Sequence, residues 1–132
     1  MKHICDTNFI VRYLLADNHD MLVNTKEIFD KAKTGELTVI IEQAVFTEVI
    51  FVLISFYKVP KNKICDILTE LLSYKGINCY NKETILLALK YYQELNMHIV
   101  DCLLLANAKK HDTSVLTFDK KLISYVANKD LY

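Results

Sequence analysis

The chain has 132 residues and a formal net charge of zero at pH 7, from 16 basic and 16 acidic side chains. Because it has no net field that attracts polyanions or membranes, nucleic acid could be bound only by a local cluster of charges. Hydrophobic residues make up 52% of the chain, with two glycines and one proline. This composition excludes disordered and collagen-like classes and predicts one globular domain over residues 1–132.

The cysteines and the amino terminus indicate the compartment. Cys5, Cys65, Cys79 and Cys102 form no CxxC pair and no Cys-His ligand spacing, which argues against a zinc site. Cys5, Cys79 and Cys102 lie in apolar runs. We therefore expect these cysteines to be small, buried hydrophobic side chains of a protein in a reducing compartment. The sequence shows no signal-peptide core and no run of about 18 uncharged apolar residues. We therefore predict a cytoplasmic protein without a membrane segment.

Strand and helix patterns alternate along the chain, as in an α/β fold. The predicted elements are a strand at His3–Cys5, helices over Asn8–Leu15 and Asp20–Lys33, a strand at Leu37–Ile41, helices over Gln43–Tyr57 and Ile64–Tyr74, a strand at Ile77–Tyr80, a helix over Lys82–Leu95, a helix after His98, a strand at Ser114–Thr117 and a final helix around Leu122–Val126. Gly35 and Gly76 are predicted to end helices, and Asn62 and Asn81 to cap them. Helices between strands favour right-handed parallel crossovers. The expected fold is a three-layer α/β domain with a short, mostly parallel central sheet flanked by helices.

Four acidic side chains occupy unusual positions in this pattern. Asp6 and Asp119 follow predicted strands and precede helices, where an aspartate is also a common N-cap. Glu48 is the single charge in Gln43–Tyr57, a helix that is apolar on every side and is expected to be buried over most of its circumference. Asp101 is a lone acid in another apolar run. A buried, unpaired carboxylate is costly, and the alternative for Glu48 is a narrow strip that faces solvent.

These acids could meet in the crevice at the carboxyl edge of a parallel sheet, where α/β proteins place ligands. Without a cation, four adjacent carboxylates would repel and raise one another's pKa. An all-oxygen donor set matches Mg²⁺ or Mn²⁺ and disfavours zinc. Such ions can orient a water molecule and stabilise a leaving oxygen, which makes phosphodiester hydrolysis the natural chemistry. The sequence spacing by itself shows only that the acids come from different elements.

The segments around the acids follow the order of motifs in a known family. They are Ile4–Ile10 with Arg12–Leu15, Phe46–Leu53, Val100–Leu104 running into Ala106 and Ala108, and Leu116–Lys121. In these segments the chain resembles the PIN-domain ribonucleases, most closely the VapC-type toxins of type II toxin-antitoxin pairs. The resemblance runs from Ile4 to about Leu122, which is nearly the whole chain.

The resemblance implies a Mg²⁺-dependent endoribonuclease, with Mn²⁺ as a possible substitute. It implies that the metal-binding residues are Asp6, Glu48, Asp101 and Asp119, with Glu48 binding the ion or positioning a water molecule. Polar supporting positions fall on Thr7, Asn8 and Thr117, which could orient a carboxylate or a metal-bound water or simply cap local structure. The resemblance further implies a homodimer and a cognate antitoxin protein that blocks the acidic groove.

One residue departs from the family pattern. Many relatives carry another acid three residues before Asp101, where this chain has His98, and this puts a fully occupied second metal site in doubt. An imidazole at this place could change the metal preference or the pH dependence. We favour a surface residue at a helix start as its role.

Two alternative functions remain open. One is a non-catalytic PIN-like module that binds RNA or a protein, although a negative groove gains nothing in binding a polyanion. The other is phosphoryl transfer at Asp6, as in receiver or haloacid-dehalogenase-like domains. Asn8 stands against the latter family, which carries a second aspartate at this position.

Overall fold

The computed structural model describes residues 2–16 and 19–131. Within this part of the chain the elements are β1 Lys2–Ile4, α1 Thr7–Leu15, α2 His19–Thr34, β2 Thr38–Ile40, α3 Gln43–Ser55, α4 Lys61–Leu72, β3 Ile77–Asn78, α5 Lys82–Glu94, α6 Ile99–His111 and α7 Lys120–Ala127. The alternation confirms the α/β prediction. Two compact units, Met1–Lys82 and Glu83–Tyr132, are described separately below, and the single domain over 1–132 stays a prediction.

The first unit is built on a parallel sheet with the strand order β1-β2-β3. His3 pairs with Val39, and Val39 pairs with Ile77 on its other side. Both pairs of strands are parallel, as the helices between the strands predict. Helices α1 and α2 connect β1 to β2, while α3 and α4 connect β2 to β3; α1 packs on both α2 and α3. This arrangement brings the carboxyl end of β1 directly into α1.

The two glycines of this unit have different roles. Gly35 ends α2 with a φ of +83°, a left-handed conformation that glycine adopts without a steric penalty. Gly76 was expected to end a helix, and this prediction is wrong, because α4 ends at Leu72. Instead the Gly76 N–H donates to the Ala32 carbonyl at 2.7 Å, and a Cβ at Gly76 would overlap the carbonyl oxygen of Leu37. Gly76 is therefore the point where two backbone segments approach closely.

Helix α4 begins three residues earlier than predicted. Its N-cap is Pro60, with φ −59° and ψ 143°, so Asn62 lies in the first turn and does not cap the helix. The fixed φ of proline suits the start of a helix, and this outweighs the capping preference of asparagine. Asn81 directly precedes α5 and has a φ of +58°, which asparagine tolerates better than most residues.

Helix α3 is buried on one face only, contrary to the sequence prediction. Phe46, Val49 and Leu53 are buried in its contacts within the core, whereas Phe51 is 64% exposed and Glu48 is exposed. The Glu48 carboxylate is therefore hydrated and carries no burial cost. The apolar composition of α3 exceeds what its buried face requires.

The second unit contains helices α6 and α7, which pack against each other. Lys109 of α6 holds the end of α7, because its Nζ donates to the carbonyl oxygens of Val126 at 3.1 Å and Asn128 at 2.6 Å. A lysine in this place satisfies carbonyl groups that lack helical partners. Among the described helices, none is both long and apolar enough to cross a membrane.

The predicted strand at Ser114–Thr117 is wrong. Residues 113–117 are described and lie in no strand, and Leu116 is 98% exposed. A strand needs a hydrogen-bonded neighbour, and the β-branched pattern of this segment signals only a local preference for extended backbone. Asp119 consequently follows an irregular segment.

Candidate active site

Asp6 is held at the junction of β1 and α1. Its Oδ1 accepts a hydrogen bond from the Phe9 N–H at 2.9 Å, and its extended backbone (φ −93°, ψ 176°) is that of an N-cap. Asp6, Thr7 and Asn8 are each possible caps of this helix by sequence, and the structure shows that Asp6 is the N-cap. The exposed carboxylate keeps Oδ2 without a partner among the described residues. Capping and metal binding are therefore compatible at Asp6.

Two cavities open beside Asp6, and both are also lined by Phe9 and Asn24. The larger cavity, of about 470 Å³, is also lined by His3. The smaller, of about 210 Å³, includes Arg12, the only arginine of the chain. A guanidinium donates in a planar fork that matches a phosphate group. The smaller cavity thus combines an acid with an anion-binding group.

Sequence reasoning did not assign a role to Arg12. The sequence does place Arg12 four positions after Asn8, and residues at this spacing share one helix face. This spacing could have indicated that Arg12 lies on the same side of α1 as the supporting residue Asn8. The supporting pair Thr7 and Asn8 lies in the first turn of α1, with Thr7 buried and Asn8 exposed. Glu48 is carried by α3, which packs on α1. The first unit therefore presents Asp6 and Glu48 on helices that contact each other.

In the second unit, Asp101 and Asp119 lie at the starts of two packed helices. Asp101 is half-buried in the first turn of α6, where the helix dipole favours a negative charge. Asp119 caps α7, since its Oδ1 accepts from the N–H groups of Lys121 at 2.9 Å and Leu122 at 3.1 Å. The Asp119 N–H donates in turn to the Thr117 Oγ1 at 3.0 Å. Thr117 thus fixes the backbone that carries this carboxylate.

The four acids fit a divalent cation by their donor chemistry. None of them forms an ion pair with another described residue, and hard cations take carboxylate oxygens. In the part of the chain that the structure describes, no three His, Cys, Asp or Glu side chains are grouped so as to hold an ion. His98 is the exposed N-cap of α6 without a side-chain capping bond, as expected for a surface residue at a helix start.

The cysteine thiols do not extend this donor set. Burial, and then the neighbouring Asp6 carboxylate, raise the pKa of Cys5 to about 11, so its thiol stays protonated at neutral pH and is a poor ligand. Cys79 and Cys102 are buried, as expected, and so is Cys65. Cys5 is only half-buried, which departs from the prediction.

Comparison with known proteins identifies the family to which this chain belongs. The PIN domain family matches residues 4–128, nearly the whole chain and parts of both units. The chain therefore belongs to the PIN domain family. PIN domains are generally nucleases that need divalent metal ions, and they typically bind RNA. No curated protein and no solved structure gives a significant match.

Proposed function

We propose that the protein is a Mg²⁺-dependent endoribonuclease that hydrolyses phosphodiester bonds in RNA, with Mn²⁺ as a possible substitute. The observation that carries the proposal is the family match over residues 4–128, which includes all four acidic positions. Two features support it. The acids form no ion pairs with described residues, and Asp6 borders a cavity that Arg12 also lines.

Each side chain has a defined part in this mechanism. Asp6, Asp101 and Asp119 would hold the ion, and Glu48 would bind it or orient the attacking water. A bound divalent ion supplies charge neutralisation for the phosphate and for the leaving oxygen. The N-cap bond to Phe9 fixes the orientation of Asp6, and preorganisation of this kind reduces the cost of reaching the reactive geometry.

Arg12 and Thr117 assist in different ways. The Arg12 guanidinium would donate to a phosphate oxygen of the RNA in the 210 Å³ cavity next to Asp6. Thr117 would act through Asp119, whose backbone N–H it accepts. Thr7 and Asn8 would support Asp6 from the first turn of α1. These roles bind and orient the substrate and leave the bond-breaking chemistry to the acidic site.

We further propose that the enzyme is the cytoplasmic toxin of a type II toxin-antitoxin pair. In this role it forms a homodimer, and a cognate antitoxin protein covers the acidic groove. The order of the four motifs supports this role, as does the apolar surface that α3 leaves exposed. An adjacent small reading frame that encodes a DNA-binding fold with a basic tail would add support.

The nuclease assignment is tested by replacing the acids singly. We expect Asp6→Asn and Asp101→Asn to lower RNA cleavage at least about a hundredfold, because loss of even an outer-shell partner of a metal ligand typically costs 10- to 100-fold. Asn retains the capping ability of Asp6, so thermal unfolding should be little changed. Cleavage of a labelled RNA in Mg²⁺ is the measurement, and Asp66→Asn, an exposed acid of α4, is the control.

Undiminished cleavage by both variants would refute the assignment. RNA binding without cleavage at any Mg²⁺ or Mn²⁺ concentration, with no metal-dependent rise in melting temperature, would instead identify a non-catalytic PIN-like binding module. The same set of variants thus separates the two functions.

A further inference from the structure

The larger of the two cavities beside Asp6, of about 470 Å³, has the volume of a small-molecule site. Four apolar side chains contribute to its lining, namely Ile4, Phe9, Ile28 and Val39. Ile4 is 65% exposed although it lies in a strand, so its side chain offers apolar surface to a ligand. Sites for small organic groups are typically apolar, with a few polar side chains that fix the orientation of the ligand.

Two polar side chains of the same lining can supply that orientation. His3 belongs to β1 and Asn24 to α2, and both residues are exposed. Neither side chain is hydrogen-bonded to another residue in the part of the chain that the structure describes. A carboxamide offers a donor and an acceptor side by side, and the edge of a nucleobase presents donors and acceptors in the same way.

Phe9 forms a fixed wall next to the candidate metal-binding carboxylate. Its ring packs on the buried ring of Phe29, with the two centroids 5.9 Å apart. Its backbone N–H donates to the Asp6 Oδ1 at 2.9 Å. Phe9 is thus held both through its ring and through its backbone. Its half-buried ring therefore presents a rigid apolar surface beside Asp6.

The larger cavity is continuous with the smaller one of about 210 Å³. Both are lined by Asp6, Phe9 and Asn24, and the smaller one is also lined by Arg12, the proposed phosphate-binding residue. A nucleotide carries its base and its phosphate on one sugar, so a phosphate at Arg12 leaves its base beside the three shared residues. The larger cavity is the adjacent space with apolar walls. All of these residues belong to the first unit.

We propose that the 470 Å³ cavity is a nucleobase pocket that selects the base next to the cleaved phosphodiester bond. The base contacts Phe9 and Ile4, and its polar edge pairs with the Asn24 carboxamide, with His3 as a second hydrogen-bonding group. Asn24 is therefore a specificity-determining residue. Phosphate contacts alone carry no sequence information. The inference rests on the proposed function and adds base selectivity to the same site.

The polar groups favour a nucleobase over an apolar protein side chain in this cavity. A protein side chain such as leucine would cover the walls at Ile4 and Ile28 but would leave the Asn24 carboxamide without a partner. Removing a polar group from water without a new hydrogen bond is unfavourable. A nucleobase covers the apolar walls and satisfies the carboxamide at the same time.

The test measures nucleotide binding apart from cleavage. The full-length chain, in EDTA, is titrated separately with the 5′-monophosphates of adenosine, guanosine, cytidine and uridine and with ribose 5-phosphate. The Kd values are obtained from backbone amide shifts in NMR spectra. We expect the preferred nucleotide to bind at least about tenfold more tightly than the least preferred one, as one well-paired base edge provides. Ribose 5-phosphate, which has no base, should bind more weakly than the preferred nucleotide.

Two substitutions assign the discrimination to the cavity. Asn24→Leu removes the carboxamide at similar size, and we expect its four Kd values to lie within about threefold of one another. Asn62→Leu, which changes an exposed asparagine of α4 outside the cavity, should keep the wild-type discrimination. Circular dichroism melting checks that each variant is folded. If Asn24→Leu does not fold, His3→Leu decides the test, because loss of the second hydrogen-bonding group should also reduce the discrimination.

Three outcomes would overturn the inference. They are equal affinity of wild type for the four nucleotides, affinity for ribose 5-phosphate equal to that for the preferred nucleotide, and unchanged discrimination in Asn24→Leu. Failure of the proposed function is a separate result: nucleotides would be discriminated through Asn24, but Mg²⁺ would not produce RNA cleavage. Conversely, Mg²⁺-dependent cleavage by a chain that binds the four nucleotides equally would remove the pocket and leave the nuclease.

Discussion

Asp6 and Asp119 each begin a helix and are also proposed to bind a metal. In both residues only Oδ1 is used in capping, by the Phe9 N–H at Asp6 and by the Lys121 and Leu122 N–H groups at Asp119. A carboxylate has two oxygens and about four lone-pair directions, so capping does not exhaust its capacity. The capping bonds instead fix the direction of the carboxylate before a ligand arrives. The proposed metal-binding role is therefore compatible with the capping role of the same carboxylate.

The two roles of Asp119 can be separated by a pair of substitutions. Asp119→Asn retains a capping oxygen and removes the charge, so we expect lost RNA cleavage with a melting temperature close to that of wild type. Asp119→Ala removes both the capping oxygen and the charge. The lost cap should lower the free energy of unfolding by about 1 kcal/mol, which is roughly 4 °C in melting temperature for a chain of this size. Equal melting temperatures for the two variants would show that the cap contributes nothing.

Some properties of single residues could not be derived from the sequence. By sequence Asp6, Thr7 and Asn8 could each cap α1, and only the backbone geometry identifies Asp6 as the cap. Helix α3 was expected to be buried over most of its circumference because it is apolar all round, with a solvent-facing strip at Glu48 as the alternative, and composition does not show which face of a helix is covered. By contrast, the exposed position of His98 at a helix start followed from the local sequence. Local preferences were therefore predictable, and side-chain environments were not.

At the scale of elements, strands were predicted less well than helices. The helix α1 and the strand β1 lie within one or two residues of their predicted bounds, because capping and periodicity are encoded locally. Residues 114–117 carry the same extended preference but have no strand neighbour. A strand depends on a partner that is remote in sequence, and no local pattern specifies it.

Gly76 shows how one position can hold neighbouring elements together. Gly76→Ala should reduce the free energy of unfolding by more than about 4 kcal/mol, because the added methyl group would overlap the Leu37 carbonyl oxygen and lie 2.8 Å from the Ala32 oxygen. Gly35→Ala, at a φ of +83°, should cost only about 1 kcal/mol from its left-handed backbone. Urea unfolding compares the two, and a Gly76→Ala variant within about 1 kcal/mol of wild type would contradict this account.

At the scale of the whole molecule, the candidate acids are divided between the two compact units. Asp6 and Glu48 belong to Met1–Lys82, and Asp101 and Asp119 belong to Glu83–Tyr132. The family match extends across both. The sequence could give the order of the four motifs, because that order depends on residue identity alone, whereas the choice of Mg²⁺ stays a prediction. Distances between remote acids depend on tertiary packing, which motif order does not specify.

A shared ion would make the two units report on the same binding event. We expect Mn²⁺, added to the full-length isotope-labelled chain, to broaden the backbone amide signals near Asp6 and Glu48 and those near Asp101 and Asp119 with one common midpoint. Paramagnetic broadening falls steeply with distance, and ligands of one ion lie within a few ångströms of it. The diamagnetic ion Mg²⁺ should compete and restore the signals.

The decisive control for this titration is Asp6→Asn. If the four carboxylates share an ion, removing one charge in the first unit must weaken Mn²⁺ binding as seen from the second unit, because the binding free energy belongs to the site and not to either half of it. The midpoint for the signals near Asp101 and Asp119 should then move to higher Mn²⁺ concentration. Unchanged broadening near Asp101 and Asp119 in Asp6→Asn would mean that the two pairs of acids act independently, and the proposed common metal site would be wrong.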